Sequence, residues 1–206
     1  MMVYLFRWML MLSGLFLLPV LLIRAQPYDD GGLRAFLTPP EDCPAPCFMG
    51  IRPGMTTVAE AFAILDEHPW LVPGSLKDFG VNTGFSWWWA DAAPSWLDRR
   101  TRPLLHTYDG EVHDIIVQTT IPWGDFIFVM GKTRIYGLTL PPETSVSSDP
   151  PYDYRHEIWY QDLGLMAYAR GYCRDSNLYT WPVLLQVRAQ PMLISGRSVH
   201  GMTNCR

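Results

Sequence analysis

The chain has 206 residues, a net charge of −4 at pH 7, 17% charged and 14% aromatic side chains, and nine tryptophans. It carries no run of Lys or Arg to meet a phosphate backbone, which excludes nucleic acid as a natural partner and serves anionic lipid no better. It also has no glycine-rich phosphate loop followed by lysine, which excludes nucleotide use, and so many rings must either be buried well or be shown to a partner.

The first element in chain order is an apolar run from Trp8 to Ile23, 16 residues without a charge, preceded by Arg7 and followed by Arg24. Residues 1–25 therefore read as a signal peptide ending near the small residue Ala25, or as an N-terminal membrane anchor, although a spanning helix needs about 20 apolar residues. No cysteine lies near Ala25 to accept a lipid. The expected location is extracytoplasmic, either secreted or tethered to the outer face of the cytoplasmic membrane. Residues 26–42 are rich in Pro, Gly and Asp, lack any period, and read as a flexible tether.

Cys43, Cys47, Cys173 and Cys205 form an even set in a chain expected to be exported, which favours structural disulfides over free thiols. Cys43 and Ala45 each precede proline and are biased to extended backbone. Four polyproline steps span about 12 Å, whereas bridged Cα atoms lie within about 7 Å. That weighs against a local Cys43–Cys47 bridge and towards long-range staples to Cys173 and Cys205, with the pairing left open. A redox role is disfavoured, because the spacing is Cys-x3-Cys and no helix N-terminus follows to hold a thiolate.

Folded structure is expected from residue 43. Pro53-Gly54 makes a turn, and Thr57-x-x-Glu60 fits a capping box for a helix from Val58 to Glu67 with Val58, Ala61, Phe62 and Leu65 on one stripe, stopped by Pro69. Strand patterns follow at 85–90, 104–108 and 111–120, the last two joined by Asp109-Gly110, a strong signal for a two-residue type I′ hairpin turn. The pattern then restarts. A short helix is entered through Pro122 and ended by Gly131, and strands follow at 134–140, 156–160, 165–170 and 181–190, with a G1 bulge expected at Gly164. The fold class is α+β: two helix-plus-antiparallel-meander halves, residues 43–120 and 121–206, packed as one compact unit because neither meander can bury its face alone.

Ile51-x-Pro-Gly-Met-Thr-Thr-x-x-Glu60, with Ala61 and Leu65 behind it, resembles the opening of the helix-and-meander modules of small outer-membrane assembly lipoproteins and of tandem β-lactamase inhibitor proteins. Cys43-Pro-x-Pro-Cys47 followed by Gly50-Ile51-x-Pro53-Gly54 is also similar to the start of uncharacterised exported bacterial proteins. The resemblance covers some fifteen residues. It implies work by binding other proteins, and it carries over no catalytic residue; the lipoproteins' lipid-attachment cysteine is missing here.

Three groups of residues are candidates for chemistry. A two-residue turn would set His106 opposite His113, with Cβ atoms about 5 Å apart, close enough to share zinc. Tyr108 and Glu111 would then lie on the same face, together with apolar Leu104, Ile115 and Val117. His156-Glu157 beside Asp153 offers acid–base groups, but at a strand start. In Trp87-Trp88-Trp89, alternation points Trp88 away from its neighbours, and Trp96 follows after Pro94. These four rings are the expected partner-binding residues, Trp being enriched among binding hot spots. The leading expectation is an exported, non-enzymatic binding or assembly protein acting on a protein or cell-envelope component. It has no assigned catalytic residue, metal or cofactor. The alternatives are an extracytoplasmic metal-assisted hydrolase using His106 and His113, and a carbohydrate-binding module.

Overall fold

The structure, a computed structural model, describes residues 2–25, 32–80, 82–131, 135–139, 154–171 and 177–189. The chain divides into two units, Met1–Asp30 and Gly31–Arg206. The first holds helix α1, Met2–Ala25, on which Trp8, Leu15, Phe16 and Leu21 are exposed. Between Arg7 and Arg24 its uncharged stretch covers about 24 Å at 1.5 Å per residue, short of a hydrocarbon core of about 30 Å. Among the described residues no helix is long and apolar enough to cross a membrane.

The second unit is an α+β fold built on one antiparallel sheet. In chain order it holds α2 (Leu33–Leu37), α3 (Val58–Asp66), β1 (Lys77–Asp78), β2 (Phe85–Ser86), β3 (Leu104–Tyr108), β4 (Glu111–Pro122), α4 (Trp123–Met130), β5 (Ile135–Thr139), β6 (Tyr154–Tyr160), β7 (Leu165–Gly171) and β8 (Pro182–Arg188). The strands run β1-β2-β3-β4-β8-β7-β6-β5, so the last strand of each meander meets the other at the centre of the sheet. Each helix-then-meander half thus supplies four adjacent strands.

Local signals explain most of these boundaries. Thr57 Oγ1 accepts from the Glu60 backbone N–H, and the Thr57 N–H donates to the Glu60 carboxylate at 2.9 Å, closing a full capping box on α3. These bonds hold the exposed Glu60 carboxyl below its ordinary pKa. Asp109 (φ 53°) and Gly110 (φ 82°) give the two positive-φ positions a type I′ turn needs. Pro122 caps α4, and Gly131, at φ 75°, ends it. The turn before β7 differs from the expected bulge: a 3₁₀ turn over Gln161–Leu163 closes on Gly164 in the left-handed region. Strand β2 is shorter than expected, with a single further bridge from Trp89 to Leu71.

Two expectations at the start of this unit are corrected. Residues 33–37, inside the stretch read as a tether, form a helix whose Leu33 is fully buried, and Phe36 packs 5.2 Å from Phe48, 5.4 Å from Trp70 and 4.9 Å from Trp96. The Arg34 guanidinium also donates to the Val129 carbonyl, tying α2 to α4. Ordered chain therefore begins ahead of Cys43. Cys43 is bridged to Cys47, with Cα atoms 5.8 Å apart, because the segment turns back through a cis Ala45–Pro46 bond instead of running on in polyproline geometry. Cys173 and Cys205 lie outside the described residues. Closing so short a loop stabilises the fold by about 2 kcal/mol. The Cys43→Ser/Cys47→Ser double variant is expected to lose about that much in urea unfolding.

The core lies on one sheet face. Leu105, Ile115, Val117, Val183, Leu185, Val187, Leu165 and Ile158 join Ala61 and Leu65 of α3 and Trp123, Phe126 and Val129 of α4 in a single buried cluster. Buried Tyr160 belongs to it as well: its hydroxyl donates to the Gly131 carbonyl at 2.7 Å, and burial pushes its pKa up to about 12. A smaller cluster of Trp159, Met166 and Tyr168 lies on the opposite face of the sheet, as strand alternation requires.

Two histidines are held neutral by burial. His68 accepts the Trp70 N–H on Nδ1 at 3.2 Å, His156 lies 6.3 Å from the Trp123 ring and 6.2 Å from that of Trp181, and desolvation lowers both pKa values below the ordinary 6.5. The unfolded chain then binds protons near pH 6.5 before the native one does. Stability is fully present above that pH and is lost as pH falls below it towards the depressed native values. The urea midpoint is expected to drop between pH 7.5 and 5.5, and to drop less in a His68→Gln variant.

Candidate functional site

Helices α2, α3 and α4 of this unit all join the core cluster, which leaves the opposite face of β2, β3, β4 and β8 without them. This face carries buried Ser86, Asp114, Gln186 and Arg188 beside exposed Trp88 and Tyr108. Its pairing runs Ser86–Leu104–Ile116–Gln186 in one row and His106–Asp114–Arg188 in the next.

The second row departs from the regular hairpin expected from the sequence. The β3–β4 register shifts between His106 and Thr107: Thr107 still faces Val112, but His106 faces Asp114, and His113 is the extra residue. That one-residue bulge overturns the expected His106–His113 pair. It also sends Ile115 and Val117 to the core, where they are fully buried, instead of leaving them beside the histidines.

The bulge organises a polar network. His106 Nδ1 lies 2.6 Å from Asp114 Oδ1, and Gln186 Nε2 donates to Asp114 Oδ2 at 3.0 Å, so both carboxylate oxygens of this buried aspartate are engaged. The Arg188 guanidinium, 7% exposed, donates through Nη2 to His113 Nε2 at 3.1 Å. The imidazoles are thus committed separately, one to a carboxylate and one to a guanidinium that occupies a nitrogen lone pair a metal would need. Among the described residues no group of three His, Cys, Asp or Glu side chains is gathered that could hold a metal ion. His156 and Glu157 are both buried, on opposite faces of β6 as their adjacency requires, and Asp153 lies outside the described residues.

The tryptophans divide as strand alternation requires, but most fall on the covered side. Trp87 and Trp89 point to the core with their rings edge-to-face 5.5 Å apart, and Trp96 is buried against Phe36. Those three do not form a docking surface. Trp88 remains, 38% exposed, with the Arg102 guanidinium 4.4 Å from its ring centre, a cation–π stack. Along β3 from Arg102, alternation brings half-exposed His106 and then Tyr108, 69% exposed, to the same face. Exposed Lys77 on β1 lies opposite Ser86 and so joins this face.

Arg102 and Arg188 were not legible as site residues, since nothing local marks them, and His113 was read as the partner of His106 instead of as a bulge. The Trp88 alternation and the placing of His106 and Tyr108 on one face of the hairpin were legible. Among the described residues, two cavities lie elsewhere. One of about 480 Å³ is bordered by Ser95, Arg100, Thr120 and Pro182, and one of about 280 Å³ by His68, Leu71, Pro73 and Ala90. Neither brings the candidate residues together. No protein-family model, curated protein or solved structure matches this chain.

Proposed function

We propose that this is an exported, non-enzymatic binding protein that docks a protein or cell-envelope partner on the helix-free face of its sheet. The observation that carries the reading is the asymmetry of that sheet. One face is closed by helices, while the other presents Trp88 under Arg102, His106 and Tyr108, residue types that supply large contact area and most binding hot spots. The helix-then-meander order of both halves supports the resemblance to modules that work by binding proteins. Export is supported by α1, whose described apolar side chains from Tyr4 to Leu22 are exposed, and by the Cys43–Cys47 bridge, which belongs to an oxidising compartment. With a short uncharged stretch, α1 suits a leader better than a spanning anchor.

The alternatives have less support. A metal-assisted hydrolase loses its ligand pair to the bulge, and a sugar-binding module loses its stacking platform to the core, since one ring is left and it is already covered by a guanidinium. Two measurements test the proposal together. Residues 1–30 fused to a reporter enzyme that matures only outside the cytosol are expected to give activity; an inactive cytosolic fusion rejects export. A photo-crosslinking amino acid at Tyr108 is expected to trap a discrete partner in cells while one at exposed Ala59 on α3 does not. Equal capture at both positions, or none at either, rejects docking on this face.

A further inference from the structure

Arg188 sits where strand β8 meets the bulge of β4, and its guanidinium is left in an unusual state of satisfaction. Nη2 has one acceptor, the exposed His113 imidazole at 3.1 Å, while Nε and Nη1 are buried and without a partner among the described residues. The nearest carboxylate in the ladder, Asp114 directly across from Arg188, gives its two oxygens to His106 and Gln186. A buried guanidinium with free donors is costly, because each lost its water without gaining an acceptor.

The atoms in question define what would repair this. In a planar guanidinium the Nε–H and one Nη2–H point the same way and form a two-pronged edge, which matches the two oxygens of a carboxylate. Here one prong holds an imidazole nitrogen and the other holds nothing. An imidazole offers a single lone pair and cannot serve both. We propose that this edge is a receptor for a carboxylate, and that His113 occupies it as a displaceable stand-in. One carboxylate oxygen replaces His113 Nε2 on Nη2 and the other takes the orphaned Nε–H. Because His113 is the extra residue of a bulge and is solvent-exposed, its ring can swing out without breaking the β3–β4 or β4–β8 pairing. The owner of the carboxylate is an Asp or Glu side chain of the docked protein; that part rests on the docking reading above, whereas the receptor does not.

Acetate is the probe, added to the purified full-length chain with sodium chloride at matched ionic strength as control, and followed by the Arg188 Nε–H resonance. A saturable shift with acetate and none with chloride is expected. His113→Ala, at an exposed position, removes the competing acceptor and is expected to tighten acetate binding roughly five-fold. Arg188→Lys keeps the charge but loses the two-pronged edge and is expected to weaken binding about ten-fold or more, read from the backbone amide of residue 113. A shift that does not saturate, that chloride reproduces, or that His113→Ala leaves unchanged overturns the receptor. A short glutamate-bearing peptide should bind where its glutamine counterpart does not; equal binding of the two also overturns it. If acetate fails while the Tyr108 crosslink stands, the receptor falls and docking survives. If acetate binds and the crosslink fails, the receptor stands without a macromolecular partner.

Discussion

Trp123→Ala is expected to destabilise the protein by about 3–5 kcal/mol, enough to unfold an ordinary domain at physiological temperature. Trp123 opens α4, is fully buried, lies 6.4 Å from the stacked Phe126 ring, and fixes the helix to the start of β8 through its backbone N–H, which donates to the Trp181 carbonyl at 2.8 Å. Alanine leaves that backbone bond in place, so the loss reports the cavity left by the ring. Urea unfolding followed by circular dichroism measures it, with Met55→Ala, at an exposed position, expected to stay within about 0.5 kcal/mol of the parent. A Trp123→Ala loss no larger than that control would mean that α4 does not seal the core.

The second large effect is expected at Gly84. Its φ is +116°, and a Cβ there would lie 1.7 Å from the Leu105 carbonyl oxygen and 2.8 Å from the Leu105 carbonyl carbon, backbone atoms of β3 that cannot step aside while β2 stays paired. Gly84→Ala should therefore cost about 3 kcal/mol or more, combining left-handed strain with a broken β2–β3 contact. The comparison is Gly74→Ala, where φ is +71° but no atom lies within 4 Å, and only the conformational cost of about 1–2 kcal/mol applies. The same substitution should also loosen the neighbouring Trp87–Trp89 pair, visible as a change in near-ultraviolet dichroism. Equal losses at the two glycines would show that the close approach of β2 to β3 is not structural.

How much of this was legible in the sequence follows from how far apart the determining residues lie. The α3 capping box, the Asp109-Gly110 turn and the Pro122-to-Gly131 helix are decided within three to ten residues, and all were readable. The bulge at His113 was not, because no glycine marks it. It is set instead by the burial of Val112 on one side and of Ile115 and Val117 on the other, which a regular ladder cannot satisfy together. Helix α2 was missed because five residues are too few to show a period; Leu33 is ordered by a core assembled from residues far along the chain. For the tryptophans, the alternation was readable and the covered side was not, since α2 and the loops that bury Trp87, Trp89 and Trp96 declare themselves only in three dimensions. The Arg188–His113 contact joins residues 75 apart and has no sequence signature at all.

The pairing of β4 with β8 also bears on how the molecule comes into being. Those two strands hold the middle of the sheet, yet Asp114 and Arg188 are separated by a whole meander. A ribosome delivering this polypeptide finishes the earlier half long before its central neighbour exists, and a ladder of such long-range contacts closes slowly. Until β8 has been made, the nascent molecule stays loose, and the apolar flank that β8 will seal is still uncovered.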